Sequence, residues 1–166
     1  MRRLIIACII TIILGVSIYC FTTFVFKDKE EVAVNKKDKN SEETYEFDIS
    51  YGTKINLEDM EEVIANNKDV VILIGNKEED ATKKVSSLLG NVENVDSLNI
   101  YYLEREEMVG KEDLYQSLFV TYPELSNYLN FTPVILVFKD NTLMGGLPGG
   151  VEAKNIINFL EYTEVL

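Results

Sequence analysis

A chain of 166 residues, 46% hydrophobic and 27% charged, has the length for one globular domain and a short appendage. Its formal net charge is −12, and residues 27–166 hold all 28 acidic but only 14 of the 16 basic side chains, a net charge of −14 for that part. Such a surface repels polyanions, which excludes nucleic acid and anionic lipid as its direct ligands and favours basic partners without naming one. The chain has no histidine, and both cysteines, Cys8 and Cys20, lie near its start. Residues 27–166 therefore offer no histidine-based catalytic arrangement and no thiolate, the attacking species of thiol–disulfide exchange.

Leu4 to Phe26 forms 23 consecutive positions without a formal charge. At ~1.5 Å per residue a helix of that length reaches ~34 Å, enough to cross a hydrocarbon core of about 30 Å. Arg2 and Arg3 precede it, and Lys27 to Glu31 mixes lysine with acid. The positive-inside rule then keeps the N-terminus in the cytoplasm and sends the rest outside, as a single-pass protein of the cell membrane. A cleaved signal peptide has a shorter apolar core and a small-x-small cleavage site, whereas this run ends in the bulky Phe24-Val25-Phe26. Cys8 and Cys20 are twelve residues apart, or ~18 Å along a helix, too far to bridge each other within one chain. They read as small apolar residues of the anchor.

Residues 1–26 are thus expected to be a transmembrane signal-anchor, held in the membrane through positions 4–26. Residues 27–44, rich in Lys, Glu, Asp and Asn with no aromatic side chain, form a flexible linker of up to ~60 Å when extended. Residues 45–166 form the folded domain. There, Tyr45 to Ile49 alternates apolar and polar, the pattern of a half-buried strand. Asn56 can cap a helix with Leu57, Met60, Val63 and Ile64 on one face. Val70 to Ile74 reads as a strand buried on both faces, ended by Gly75. A helix is expected from Glu79 to Leu89, a strand from Leu98 to Leu103, and a helix from Asp113 that breaks or restarts near Pro123. Val134 to Phe138 is another buried strand, turning through Lys139-Asp140-Asn141 into a short strand at Thr142 to Met144. Gly145 to Gly150 is expected to be a loop, lacking the lysine of a P-loop, and Val151 to Glu161 a closing helix. The order is β-α-β-α-β-α-β-β-α, a mixed α/β sheet with helices on both faces.

The acids Glu78-Glu79-Asp80 suit a helix start better than a metal site. Carboxylates in a first turn complement the partial positive charge there, and Glu79–Lys83 and Asp80–Lys84 are i,i+4 pairs in the favourable order. The two lysines would oppose a cation, so neither a metal nor any other cofactor is expected. Glu104, Glu106 and Glu107 read as a solvated loop.

Phe131-Thr132-Pro133-Val134-Ile135-Leu136-Val137-Phe138-Lys139-Asp140-Asn141 resembles the thioredoxin stretch in which Thr-Pro enters a central strand and a Lys-Asp-Gly hairpin leaves it. The segment from Gly75 to Val85 follows the strand where thioredoxins place Cys-x-x-Cys, and Lys83-Lys84-Val85 looks like the Lys-Lys-Phe that often follows it. On that register Glu79, Asp80, Ala81 and Thr82 occupy the motif, with Glu79 and Thr82 in place of its cysteines. The chain resembles the small membrane-anchored thioredoxin-like proteins of Gram-positive bacteria, some of them bacteriocin-transport accessory proteins. The resemblance implies a thioredoxin-like fold, a cis Pro133, and a peptide-binding groove bordered by Thr132 and Pro133. With the cysteine pair absent, the expected function is a non-catalytic, extracytoplasmic module that binds a protein or peptide. Alternatives are a thiol–disulfide accessory protein working with a partner's cysteines, and a structural subunit of an export or immunity apparatus.

The topology is directly testable. Protease added to intact cells is expected to digest the 45–166 domain while the N-terminus stays uncleaved by signal peptidase. Protection in intact cells, or a mature terminus after Phe26, would overturn the assignment.

Overall fold

A computed structural model describes residues 44–149 and 151–166. The anchor expected over residues 4–26, and the linker apart from Thr44, lie outside the described residues. Among the described residues no helix is long and apolar enough to cross a membrane.

Five strands form one sheet: β1 (Thr53–Ile55), β2 (Asp69–Gly75), β3 (Ile100–Glu104), β4 (Val134–Lys139) and β5 (Thr142–Pro148), in the spatial order β1-β3-β2-β4-β5. β3 runs parallel to both β1 and β2, and β4 is antiparallel to β2 and β5. The helices are α1 (Met60–Asn66), α2 (Asp80–Gly90), α3 (Glu112–Thr121) and α4 (Ala153–Tyr162). The mixed α/β order expected from the sequence is present.

The two-residue period of a strand decides which helix lies on which face. Val70, Ile72 and Ile74 of β2 and Val134, Leu136 and Phe138 of β4 pack in one layer with Met60 and Ile64 of α1 and Leu118 of α3. Val71, Leu73, Ile135 and Val137 enter the other layer with Val85 and Leu89 of α2 and Ile156 and Leu160 of α4. Each of these helix pairs is four apart, one turn along a single face. Burying such a side chain contributes roughly 1.5–3 kcal/mol, so β2 and β4, apolar on both faces, hold the sheet together.

Three stretches depart from expectation. Tyr45 to Ile49 is not a strand, and the first strand is Thr53–Ile55. The alternation is real, but Phe47, Ile49 and Tyr51 pack on the α2 layer instead of a strand ladder. The Phe47 ring lies 4.7 Å from that of Tyr102, and the Asp48 N–H reaches Ser86 Oγ at 3.3 Å. Gly145 to Pro148 belongs to β5 and is not loop. A Cβ on Gly146 would stand 2.5 Å from the Tyr128 ring, and one on Gly145 would stand 3.4 Å from the Phe159 ring, so the glycines admit aromatic rings against the strand. The acidic stretch after β3 forms a 3-10 turn, Arg105–Met108, with Met108 buried. The β4–β5 turn has Asp140 and Asn141 both left-handed (φ 47° and 63°), the conformation a two-residue hairpin favours and these residue types tolerate.

Two tyrosines, the half-buried Tyr51 and the buried Tyr102, are held neutral. Burial raises the phenol of Tyr51 well above its ordinary range, with the Asp48 carboxylate adding to it, while its O–H donates to Ser86 O at 2.6 Å. Tyr102 is raised first by burial and then by its hydrogen bond to Glu104. Groups whose pKa is raised by folding give stability that is present below the unfolded value, about 10, and lost as pH rises through the folded value. In an ultraviolet titration Tyr51 and Tyr102 are therefore expected to ionise only with cooperative alkaline unfolding. A single simple step near pH 10 would contradict this. Gly146→Ala forces the Tyr128 ring or β5 to move and is expected to cost about 1–3 kcal/mol in urea denaturation. An unchanged midpoint would show that the ring gives way freely.

Candidate functional site

The sheet register gathers the residues singled out in the sequence at one end of the sheet. Ile74 is paired with Val134, so the chain leaving β2 and the chain entering β4 through Pro133 emerge side by side. On the flanks, Gly75 pairs with Glu104 at the end of β3, and Val134 with Pro148 at the end of β5. The Pro133 carbonyl accepts the Gly149 N–H at 2.8 Å, closing that flank.

The turn between β2 and α2 is built from its own polar groups. The Glu79 N–H donates to the Asn76 carbonyl at 2.9 Å, and the Glu78 N–H to Asn76 Oδ1 at 2.9 Å. The Lys77 N–H crosses to Glu104 Oε1 at 3.1 Å. Glu79 is extended (φ −78°, ψ 131°), and its carbonyl accepts the first helical N–H, from Lys83, at 3.0 Å. Of the four residues at the motif position, Glu79 and Asp80 are exposed, Ala81 is half-buried, and only Thr82 is fully buried. Thr82 Oγ1 has no hydrogen-bond partner among the described residues. Its side chain lies against Gly75, where a Cβ would come within 2.6 Å of Thr82 Cγ2, so a side chain at 75 is excluded by this close approach.

The ion pair at the helix start differs from the two expected. Lys83 Nζ meets Asp80 Oδ1 at 3.6 Å, an i,i+3 contact, and neither Glu79–Lys83 nor Asp80–Lys84 is among the ion pairs of the described residues. Helical side chains lean toward the N-terminus, which carries the Lys83 stem back over the first turn. With Asp80 fully solvated, the pair adds little.

Glu104 departs most from the sequence reading. It is only 7% exposed, not part of a solvated loop, and it ends β3. Its Oε2 accepts the Tyr102 O–H at 2.8 Å, and that hydroxyl also stands 3.0 Å from the Gly75 carbonyl. The signal was the strand period: Glu104 lies two residues after Tyr102 and so shares its inward face. Glu107 in the following turn is paired instead with Lys54, at 3.4 Å, and Lys111, at 3.9 Å.

Across from the turn, the Thr132–Pro133 peptide is cis, as the resemblance implies. Pro133 is buried, Thr132 half-buried, and Phe131 is 48% exposed. The Phe131 N–H is taken by Tyr128 O at 3.0 Å. Among the described residues, neither the N–H nor the carbonyl of Thr132 has a hydrogen-bond partner, although both flanking residues have one. No group of three or more His, Cys, Asp or Glu able to hold a metal ion occurs among the described residues.

No family model and no curated protein sequence matches the chain. Solved structures do. A chain from a structure of thiol resolution in yeast mitochondrial 1-Cys peroxiredoxin via glutathione/thioredoxin systems is 15% identical, with a TM-score of 0.51, over 66% of this chain and 93% of that one. A mutant thioredoxin from Halobacterium salinarum is 12% identical with a TM-score of 0.50, over 70% of this chain and 95% of that one. A Plasmodium falciparum thioredoxin is 11% identical with a TM-score of 0.50, over 66% and 96%. Likeness at such identities concerns the fold alone: the described domain is a thioredoxin-like mixed sheet flanked by helices.

Proposed function

We propose that this protein is a membrane-tethered, non-catalytic thioredoxin-like module that binds an extended segment of a partner protein on the extracytoplasmic side. The observation that carries the reading is the unengaged backbone of Thr132. A backbone N–H and C=O without a hydrogen-bond partner among the described residues, next to the start of a strand, can pair with another chain by strand addition. Glu79 on one side and Phe131 on the other would border that segment. Redox chemistry is disfavoured because residues 27–166 contain no cysteine, and the carboxylate and hydroxyl of Glu79 and Thr82 cannot exchange electrons with a disulfide. The tether rests on the uncharged run from Leu4 to Phe26, and membership of a bacteriocin-accessory group rests on resemblance alone.

A photo-crosslinking amino acid replacing Phe131 in intact cells is expected to capture a protein partner. The same replacement at Tyr162, which is 81% exposed on α4, serves as the control and is expected to capture none. The full chain is expected to show no disulfide-reductase activity. Equal capture from both positions would remove the groove from the reading, and measurable reductase activity would replace it with the oxidoreductase alternative.

A further inference from the structure

We infer that Glu104 is a positioning residue for the edge at Thr132: its carboxylate fixes the turn of residues 76–79 in the shape that faces the incoming segment. The inference rests on the peptide-binding reading above. A carboxylate withdrawn from water is costly unless its oxygens are hydrogen-bonded, so its presence at the end of a strand calls for an account. Both oxygens are satisfied, one by Lys77 N–H at 3.1 Å and one by Tyr102 O–H at 2.8 Å. Neither bond is to a basic side chain. Glu104 therefore acts as an acceptor bridge between β3 and the turn.

The pattern of amides shows what the bridge does. Three successive N–H groups of the turn have acceptors. Asn76 supplies those for Glu78 and Glu79 from within the turn, and only the Lys77 acceptor comes from another element. Glu104 is thus the described hydrogen-bond tie from the turn's amides to the sheet. The register puts this tie one strand away from Pro133, with β2 between them. A turn held this way presents Glu79 at the sheet end before a partner arrives, and pre-organisation lowers the ordering cost of binding. An apolar side chain would fill the same space without an acceptor for Lys77. Glutamine would keep one, and its amide can donate to the Tyr102 oxygen while that hydroxyl turns to the Gly75 carbonyl.

The test compares wild type, Glu104→Gln and Glu104→Leu in the full chain, in detergent micelles for hydrogen exchange and in intact cells for crosslinking from position 131. Exchange of the Lys77 amide is expected to be slow in wild type and in Glu104→Gln, and about tenfold faster in Glu104→Leu, the factor for one lost hydrogen bond. Crosslinking yield should fall in Glu104→Leu and persist in Glu104→Gln. Should the leucine variant fail to fold, Tyr102→Phe removes one donor to Glu104 while keeping the ring against Phe47, and is expected to speed Lys77 exchange by a smaller factor. Rapid Lys77 exchange in wild type would overturn the inference. So would a leucine variant whose Lys77 exchanges faster while its crosslinking equals wild type; in that case the binding reading survives alone. If position 131 captures nothing even in wild type, the binding reading fails and the positioning role fails with it.

Discussion

The pairing of β2 with β4 is the constraint on which the rest depends. Val70–Ile74 and Val134–Phe138 are buried on both faces, so each of these residues must find an apolar partner on one side of the sheet or the other. Their two-residue period hands α1 and α3 to one layer and α2 and α4 to the other. Because side chains alternate faces, a slip of one residue in this pair would invert every assignment, which makes the register costly to change. That same register brings the end of β2 next to the start of β4. The location of the candidate site is therefore a by-product of core packing, and the site's own side chains need not specify it.

What gathers there is mostly backbone chemistry. Thr132 presents an N–H and a carbonyl; the turn opposite consumes its own amides on Asn76 and Glu104. The buried residue of the motif position, Thr82, is committed to packing on Gly75, while the exposed one, Glu79, ends in a carboxylate. A reactive pair would need both positions to carry electron-transferring groups. Here one is a buried threonine packed against Gly75 and the other a solvent-exposed carboxylate. On the proposed reading, a segment paired with Thr132 would be recognised through its main chain, with selectivity left to flanking side chains such as Phe131.

Much of this was legible in the sequence because burial on both faces leaves an unmistakable run of β-branched residues. Val70 to Ile74 and Val134 to Phe138 were placed within a residue or two. Tyr45 to Ile49 was misread because alternation reports only that one side is buried; packing on a helix layer and pairing in a ladder leave the same pattern. Gly145 and Gly146 were misread because glycine also marks loops, and the rings that need the space, Phe159 and Tyr128, come from distant positions. Glu104 was missed because a glutamate among Glu106 and Glu107 looks like a charged loop. Its burial follows only once the strand is known to run through it in phase with Tyr102.

The two glycines of β5 have a further consequence. Gly145 lies under Phe159 and Gly146 under Tyr128, on an edge strand that forms a ladder with β4 alone. Sliding β5 by one place so that Leu147 takes the position of Gly146 would put a side chain where the Tyr128 ring leaves no room for a Cβ. Gly146 therefore works as an alignment notch. The outermost strand, with the least backbone pairing to hold it, is indexed by the absence of a side chain, and the ladder cannot creep that way along its neighbour without first displacing an aromatic residue.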